Sequence, residues 1–377
     1  MVPLCLPCAA AGVGRLSWCA GDLTIVKKGA SISIVPEFGS GFWRGYKFAS
    51  CLQFTMSTQT RKTGIVASAS HESIAGTDQR QWVLLRKTLG AWVKPYLEKN
   101  SLVVAALNLI SAHDGSPVTY DHVAFRTFGV DGCGIDSIAD FFMDFGYRKR
   151  EQLFFPGKKL RAFWYSPPEQ FLDVAGNGVD GPLPRIFVSE ILVEELSVRA
   201  QEIIKKYTGN AAPAIKYPVL AGVLNSLPWP TPHFAEYQQL ASESEYAAWT
   251  LVNGYTLNHL TVSVHRLSKL RKIEMLNQLL LDHDIRLNTE GGTLKVSPDG
   301  GLQQSSTVAD SASFTFADGE VKTVPASYLE FAERLVLPRF KNIPENEVRE
   351  WHRRDGFEVG NADKIFASTF SDQTGVQ

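Results

Sequence analysis

His122 and Arg126 stand four residues apart in Tyr120-Asp121-His122-Val123-Ala124-Phe125-Arg126-Thr127-Phe128, a run whose β-branched and aromatic content predicts a strand. Alternate strand residues share a face, so His122, Ala124, Arg126 and Phe128 point one way and Val123, Phe125 and Thr127 the other. An imidazole able to ligate a metal and a guanidinium able to clamp a carboxylate then share one wall, about 13 Å apart at Cα for roughly 3.3 Å per residue. A small dicarboxylic acid bound at the metal could span that gap to a guanidinium reaching back. A lone histidine on a half-buried strand is more often a hydrogen-bonded structural residue, and a second copy of the arrangement is what favours the metal. Asn258-His259-Leu260-Thr261 opens another alternating run, to His265, and Tyr328-Leu329-Glu330-Phe331 lies on the last strand of the segment it begins.

Glu330 follows His259 by 71 residues and Glu190 follows His122 by 68, so matching positions carry matching ligand types. Glu190 is thereby a candidate further ligand or an acid behind the ligands, the plain alternative being a solvated or ion-paired strand residue. His265 shares a face with His259 but lies roughly 20 Å along a strand, which favours a surface or structural role.

The elements that position these residues come twice in one order. After the first strand, Ser137-Ile138-Ala139-Asp140 resembles a capping box opening a helix with Ile138, Phe141, Phe142 and Phe145. Strands at 148–155, 160–165 and 185–192 follow, the first two joined by a turn at 156–159. After the strand at 257–265, Ser268 is placed to cap a helix bearing Leu270, Ile273, Leu276 and Leu280, and extended segments at 293–296, 313–316 and 326–332 follow. Ahead of both, Thr77-Asp78 can cap a helix with Trp82, Leu85, Leu89, Trp92 and Tyr96 on one side, and 101–110 reads as a buried helix. The expected class is α+β: two βαβββ modules, about 118–195 and 256–335, with a helical, aromatic insert at 196–255 and a C-terminal extension, in one catalytic domain over 64–377. Two such units enclosing a cavity, with ligands on their first and last strands, follow the plan of the vicinal oxygen chelate superfamily.

Composition narrows the partners. With 38 basic and 39 acidic residues in 377, the chain has no field to attract nucleic acid or an acidic membrane, and no apolar run is long enough to span a bilayer. Cys5 and Cys8 form a C-x-x-C, but no second pair follows at zinc-site spacing. Residues 1–63 hold seven basic and two acidic residues among Ser, Ala, Gly and Thr. That composition predicts a plastid transit peptide, disordered or removed, with a mitochondrial leader as the alternative.

The motifs at 122–128, Asn258-His259-Leu260-Thr261, Leu302-Gln303-Gln304-Ser305-Ser306-Thr307 and Tyr328-Leu329-Glu330-Phe331-Ala332-Glu333-Arg334 resemble those of the 2-oxoadipate dioxygenase/decarboxylase family, also called 2-hydroxyglutarate synthases. The resemblance spans roughly residues 80–371 and is strongest to the plant plastid branch. It implies a ferrous ion, Fe(2+), on His122, His259 and Glu330, and a substrate carboxylate held by Arg126. The activity it implies converts 2-oxoadipate and O₂ to 2-hydroxyglutarate and CO₂ in lysine degradation. Two imidazoles and a carboxylate on one side of an iron ion leave positions open for a bidentate 2-oxo acid and for O₂. Ser305 and Ser306 could hydrogen-bond substrate oxygens, or belong to a plain loop after Gly300-Gly301. Two other readings remain: a glyoxalase-type isomerase or lyase that recruits Glu190 and works without O₂, and a non-catalytic plastid protein acting on starch or amino-acid metabolism through partners.

Overall fold

The computed structural model describes residues 13–18, 21–28, 31–36, 75–209, 217–370 and 374–375. The chain divides into two units, residues 1–71 and 72–377. In the first, β1 (Val13–Trp18), β2 (Gly21–Lys28) and β3 (Ser31–Pro36) pair antiparallel in that order. These strands lie where the sequence predicts a leader without fixed structure; the rest of 1–63 lies outside the described residues.

The second unit opens with α1 (Ala75–Lys99) and α2 (Ser101–Asp114). One eight-stranded sheet follows, from β4 (Tyr120–Phe128), β5 (Arg148–Phe155), β6 (Leu160–Ser166), β7 (Arg185–Ile191), β8 (His259–Ser263), β9 (Lys295–Val296) and β10 (Leu302–Ser306), then, past a separate hairpin of β11 (Ser311–Thr315) and β12 (Val321–Pro325), β13 (Tyr328–Arg334). The order β5-β6-β7-β4-β8-β13-β10-β9 is two matching halves back to back. β4 and β8 meet antiparallel at the centre, and each runs parallel to the last strand of its own half. The module helices are α3 (Asp136–Asp144) and α7 (Ile273–Leu281). The insert supplies α4 (Val198–Thr208), α5 (Phe234–Ala241) and α6 (Glu245–Asn253), and α8 (Val359–Ile365) comes last.

The βαβββ order holds in both halves, with corrections in the second. The extended segment at 313–316 belongs to the β11–β12 hairpin, and β10 takes its place in the module. Gly300-Gly301 makes 302–306 look like a loop, yet its backbone pairs with β13 on one side and β9 on the other. β8 stops at Ser263, where a single 3₁₀ turn begins. Ser268 does not cap α7, because the N–H groups of Ser268, Lys269 and Leu270 all donate to the Asp114 carboxylate, at 2.9, 2.6 and 3.2 Å, and α7 starts later, at Ile273. Ser137 lies inside α3 and its hydroxyl donates back to the Gly134 carbonyl. α1 begins at Ala75, ahead of Thr77-Asp78.

Alternation gives the sheet two unlike faces. Val123, Phe125, Ile186, Val188, Leu260, Val262, Leu329 and Phe331 are at most 2% exposed and pack toward α1, α2, α3 and α7, with Trp92 edge-on to Phe125 and Phe141. Each such side chain contributes about 1.5–3 kcal/mol on burial. A one-residue slip of β4 would exchange this face for His122 and Arg126, so apolar packing fixes which way the polar residues point.

The other face holds a buried ionic network. Arg334 donates to both oxygens of Asp121 at 2.6 and 2.9 Å, and Arg185 to Glu350 at 3.1 Å and Asp355 at 2.8 Å. Glu350 also accepts from Arg266 at 2.8 Å and sits 3.2 Å from His265, giving that histidine its structural role. Burial pushes the Glu350 carboxyl up, but His265, Arg185 and Arg266 outweigh it and hold it well below the usual range. A folded-state pKa below the unfolded value gives stability that is present above the ordinary carboxylate pKa and is lost as pH falls toward the depressed one. Glu350→Gln is therefore expected to lower Tm at pH 7, by a loss on the order of 3–5 kcal/mol for a broken buried pair, and to flatten the decline of Tm below about pH 4.5. Tm measured against pH for both proteins checks this; parallel profiles would contradict it.

Candidate metal centre and substrate pocket

His122, His259 and Glu330 converge where the two halves meet, their ligand atoms all within 4.8 Å of one another. The Nε2 atoms of the histidines are 3.2 Å apart, His122 Nε2 is 3.5 Å from Glu330 Oε1, and His259 Nε2 is 3.2 Å from Oε2. Neighbouring ligands at a metal–ligand distance of about 2.1 Å lie roughly 3 Å apart, so the donor set fits one ion.

The residue before each histidine orients it. His122 Nδ1 is 2.8 Å from Asp121 Oδ1, and His259 Nδ1 is 3.1 Å from Asn258 Oδ1. Both oxygens accept, so each Nδ1 carries the hydrogen and each Nε2 turns a lone pair toward Glu330. The Thr261 hydroxyl lies 3.0 Å from His122 Nε2. β4 has one more residue than β8 between Tyr120 and Val123, a β-bulge that brings Asp121 beside its neighbour's ring. Gln304 donates to Glu330 Oε1 at 2.6 Å, and Asn361 of α8 donates to Gln304 at 3.0 Å, which fixes the carboxylate. Three buried acceptors facing one another call for a cation. Burial opposes a charge on His122, yet Glu330 and Asp121 prevail and raise its pKa. Burial, then His122 and Arg126, keeps His259 well below its usual range.

Arg126 lies on the same face of β4, as expected, and is 1% exposed. It donates to Thr369 Oγ1 at 3.0 Å and the Phe366 carbonyl at 3.3 Å, under the rings of Tyr246, Trp249 and Phe366 at 4.9, 5.0 and 5.6 Å. Among the described residues no carboxylate pairs with it, and its Nε and the Tyr328 hydroxyl are buried with no hydrogen-bond partner. Phe187, Tyr328, Phe357, Ala362, Ile365 and Phe366 complete the walls, so α8 and the turn after it help to close the site. The cavity measures about 20 Å³, room for one water-sized group.

Glu190 is not brought to the ligands. Its carboxylate lies on the helical face, paired with Arg161 and accepting from the Ile135 N–H at 2.7 Å beside the start of α3. Gly134 permits this, since a Cβ there would stand 2.8 Å from Glu190 Oε2. By strand register the counterpart of Glu190 is Glu333, which accepts in the same way from the Ile273 N–H at the start of α7, at 2.8 Å. By the same register Phe187, 65 residues after His122, is the counterpart of Glu330, 71 after His259, and Glu190 stands three residues beyond Phe187, an odd step that turns it to the other face. Glu190→Gln is expected to lower stability by about 1–3 kcal/mol and leave metal content unchanged, read by thermal melts and metal analysis.

Ser305 is likewise on the helical face, its hydroxyl donating to Asn277 at 2.6 Å, away from the pocket. Ser306 keeps to the pocket face, 2.9 Å from the Ser368 hydroxyl. Asp121, Asn258, Gln304 and Asn361 were not anticipated; the Asp-His and Asn-His pairs and the Gln303-Gln304 step were the available signals.

A curved sheet of two βαβββ halves with a His-His-Glu triad at their junction is a vicinal oxygen chelate-like fold with three side chains placed to hold one metal ion. A glyoxalase superfamily protein from Ralstonia eutropha shares the fold, at a TM-score of 0.55 and 20% identity, over 71% of this chain and 84% of that one. The profile of the 2-oxoadipate dioxygenase/decarboxylase family matches residues 97–349. The chain belongs to that family. It is 58% identical over 289 residues, 76% of this chain and 78% of the relative, to the chloroplastic 2-oxoadipate dioxygenase/decarboxylase of Arabidopsis thaliana. The crystal structure of the Oryza sativa hydroxyglutarate synthase in complex with 2-oxoadipate superposes with a TM-score of 0.75 at 54% identity, over 84% of this chain and 99% of that one.

Proposed function

We propose that this chain is a ferrous-iron-dependent dioxygenase that converts 2-oxoadipate and O₂ to 2-hydroxyglutarate and CO₂. The observation that carries the reading is a three-ligand His122, His259, Glu330 centre next to a buried Arg126 with no carboxylate partner among the described residues. The relatives named for this activity support it. One O₂ enters and both its atoms leave in the products, so no other reductant is needed.

Iron held there would supply the site that chelates the 2-oxo acid group and activates O₂. Arg126 pairs with the far carboxylate, and Tyr328, beside it, is placed to donate its hydroxyl hydrogen to the same group. Asp121 and Asn258 keep both Nδ1 atoms protonated, so each Nε2 stays free to ligate. Phe187, Phe357 and Phe366 keep water from the reacting carbon.

The test is oxygen uptake and product mass spectrometry with 2-oxoadipate, under air and under argon, on protein stripped of metal and reloaded with Fe(II) or Zn(II). The expected result is one 2-hydroxyglutarate per O₂ with Fe(II) alone. Turnover under argon would favour the glyoxalase-type isomerase, and none in air would refute the assignment. Plastid residence follows from the acid-poor first 63 residues and the chloroplastic name of the Arabidopsis relative. A reporter fused to residues 1–63 should enter plastids; mitochondrial signal would select the alternative, and cytosolic signal would refute both.

A further inference from the structure

Strand register sets the two halves of the site in correspondence residue by residue. His122 pairs with Arg185 across β4 and β7, and His259 with Tyr328 across β8 and β13. Two residues on from each partner, on the same face, stand Phe187 in the first half and Glu330 in the second. A fully duplicated site would carry two histidines and two carboxylates. Here the fourth corner is a phenyl ring, 4% exposed, lining the cavity with all three ligands and packed 4.9 Å from Phe357 and 6.5 Å from Phe366.

We propose that Phe187 is the specificity-determining residue that keeps one coordination position of this centre free of protein, and that a donor side chain there closes the site into a four-ligand centre unable to take up O₂. The inference rests on the metal reading above. Six positions around an ion less three protein ligands leave three, two for a bidentate 2-oxo acid and one for O₂. A fourth protein ligand leaves two, which the 2-oxo acid fills. Phe187 has no donor atom, and its ring packing keeps water from the same corner. The position that carries Glu330 in the second half is in ligand reach by construction, so the same backbone site in the first half can deliver a carboxylate to the ion.

The experiment compares the full chain with Phe187→Glu, Phe187→His and Phe187→Leu. Co(II) affinity is measured by chelator competition, and nitric oxide, standing in for O₂, is added to the Fe(II) protein with 2-oxoadipate and followed by electron paramagnetic resonance. Phe187→Glu is expected to bind Co(II) about tenfold tighter or more and to give no nitric oxide adduct signal, with Phe187→His behaving alike. Phe187→Leu should hold Co(II) within about threefold of the unsubstituted chain and keep the signal. A folded Phe187→Glu or Phe187→His with unchanged Co(II) affinity and a full adduct signal overturns the proposal. So does failure of both to fold while Phe187→Leu folds, since the corner then admits no donor. If the unsubstituted chain binds no Co(II), the metal reading itself fails, which is a different result.

Discussion

Arg126→Lys is expected to lower kcat/KM for 2-oxoadipate by a factor on the order of ten to a thousand while metal content stays at the level of the unsubstituted chain. The reason is the uncommon state of this guanidinium: fully buried, held by one hydroxyl, one carbonyl and three aromatic rings, with no carboxylate beside it among the described residues. A buried cation without an anion is costly, and a substrate carboxylate paired with the fork would remove that cost. Lysine keeps the charge but loses the planar pair of donors, so the substrate is held less firmly and in less fixed register with the metal. The competing account, that Arg126 serves only the fold, gives another pattern: Tm falls and the kinetics of the folded fraction stay unchanged. Metal content, Tm and steady-state kinetics on one preparation separate the two, and an unchanged kcat/KM removes Arg126 from the site.

A His122→Ala, His259→Ala double variant is expected to bind metal more weakly by over about a hundredfold, against an expected one ion or so per chain before substitution. The two rings supply two of three donors within 4.8 Å, and alanine leaves Glu330 alone. Losing the orienting amide has a smaller effect, so Gln304→Leu is expected to weaken metal binding by about ten- to a hundredfold. Ligation needs neutral imidazoles. His259 is already held neutral, so His122, whose pKa is raised, sets the pH at which metal is lost, and occupancy falls as pH drops from above the ordinary value of 6.5. Metal analysis across pH on the three proteins is the measurement; full occupancy in the double variant would sink the assignment.

Much of the site could be read from the chain because β-strands have a period of two. The alternation around 120–128 put His122 and Arg126 on one wall, and the repeated β-α-β-β-β order pointed to His259 and Glu330. The same reading failed where period two was not enough. Glu190 and Glu330 look equivalent by distance along the chain, but strand register, which depends on loop lengths the sequence does not reveal, makes Glu190 the partner of Glu333 and turns it to the helices. Ser305 and Gln304 are adjacent in one motif, and the pairing of β10 with β13 decides that Gln304 meets the ligand and Ser305 meets Asn277.

By itself, then, the sequence determined the α+β class and the duplicated unit, and it picked out His122, His259 and Glu330 as candidate ligands and Arg126 as a candidate carboxylate clamp, since local periodicity and residue chemistry encode them. Only the tertiary structure decided that Asp121 and Asn258 orient the rings, that α8 and the turn after it help to close the pocket, and that Phe187 stands where a fourth ligand would. Each of these depends on contacts between residues far apart in the chain or on the register between strands. Those are set by which packing of the whole sheet buries the apolar wall, and no local pattern carries that information.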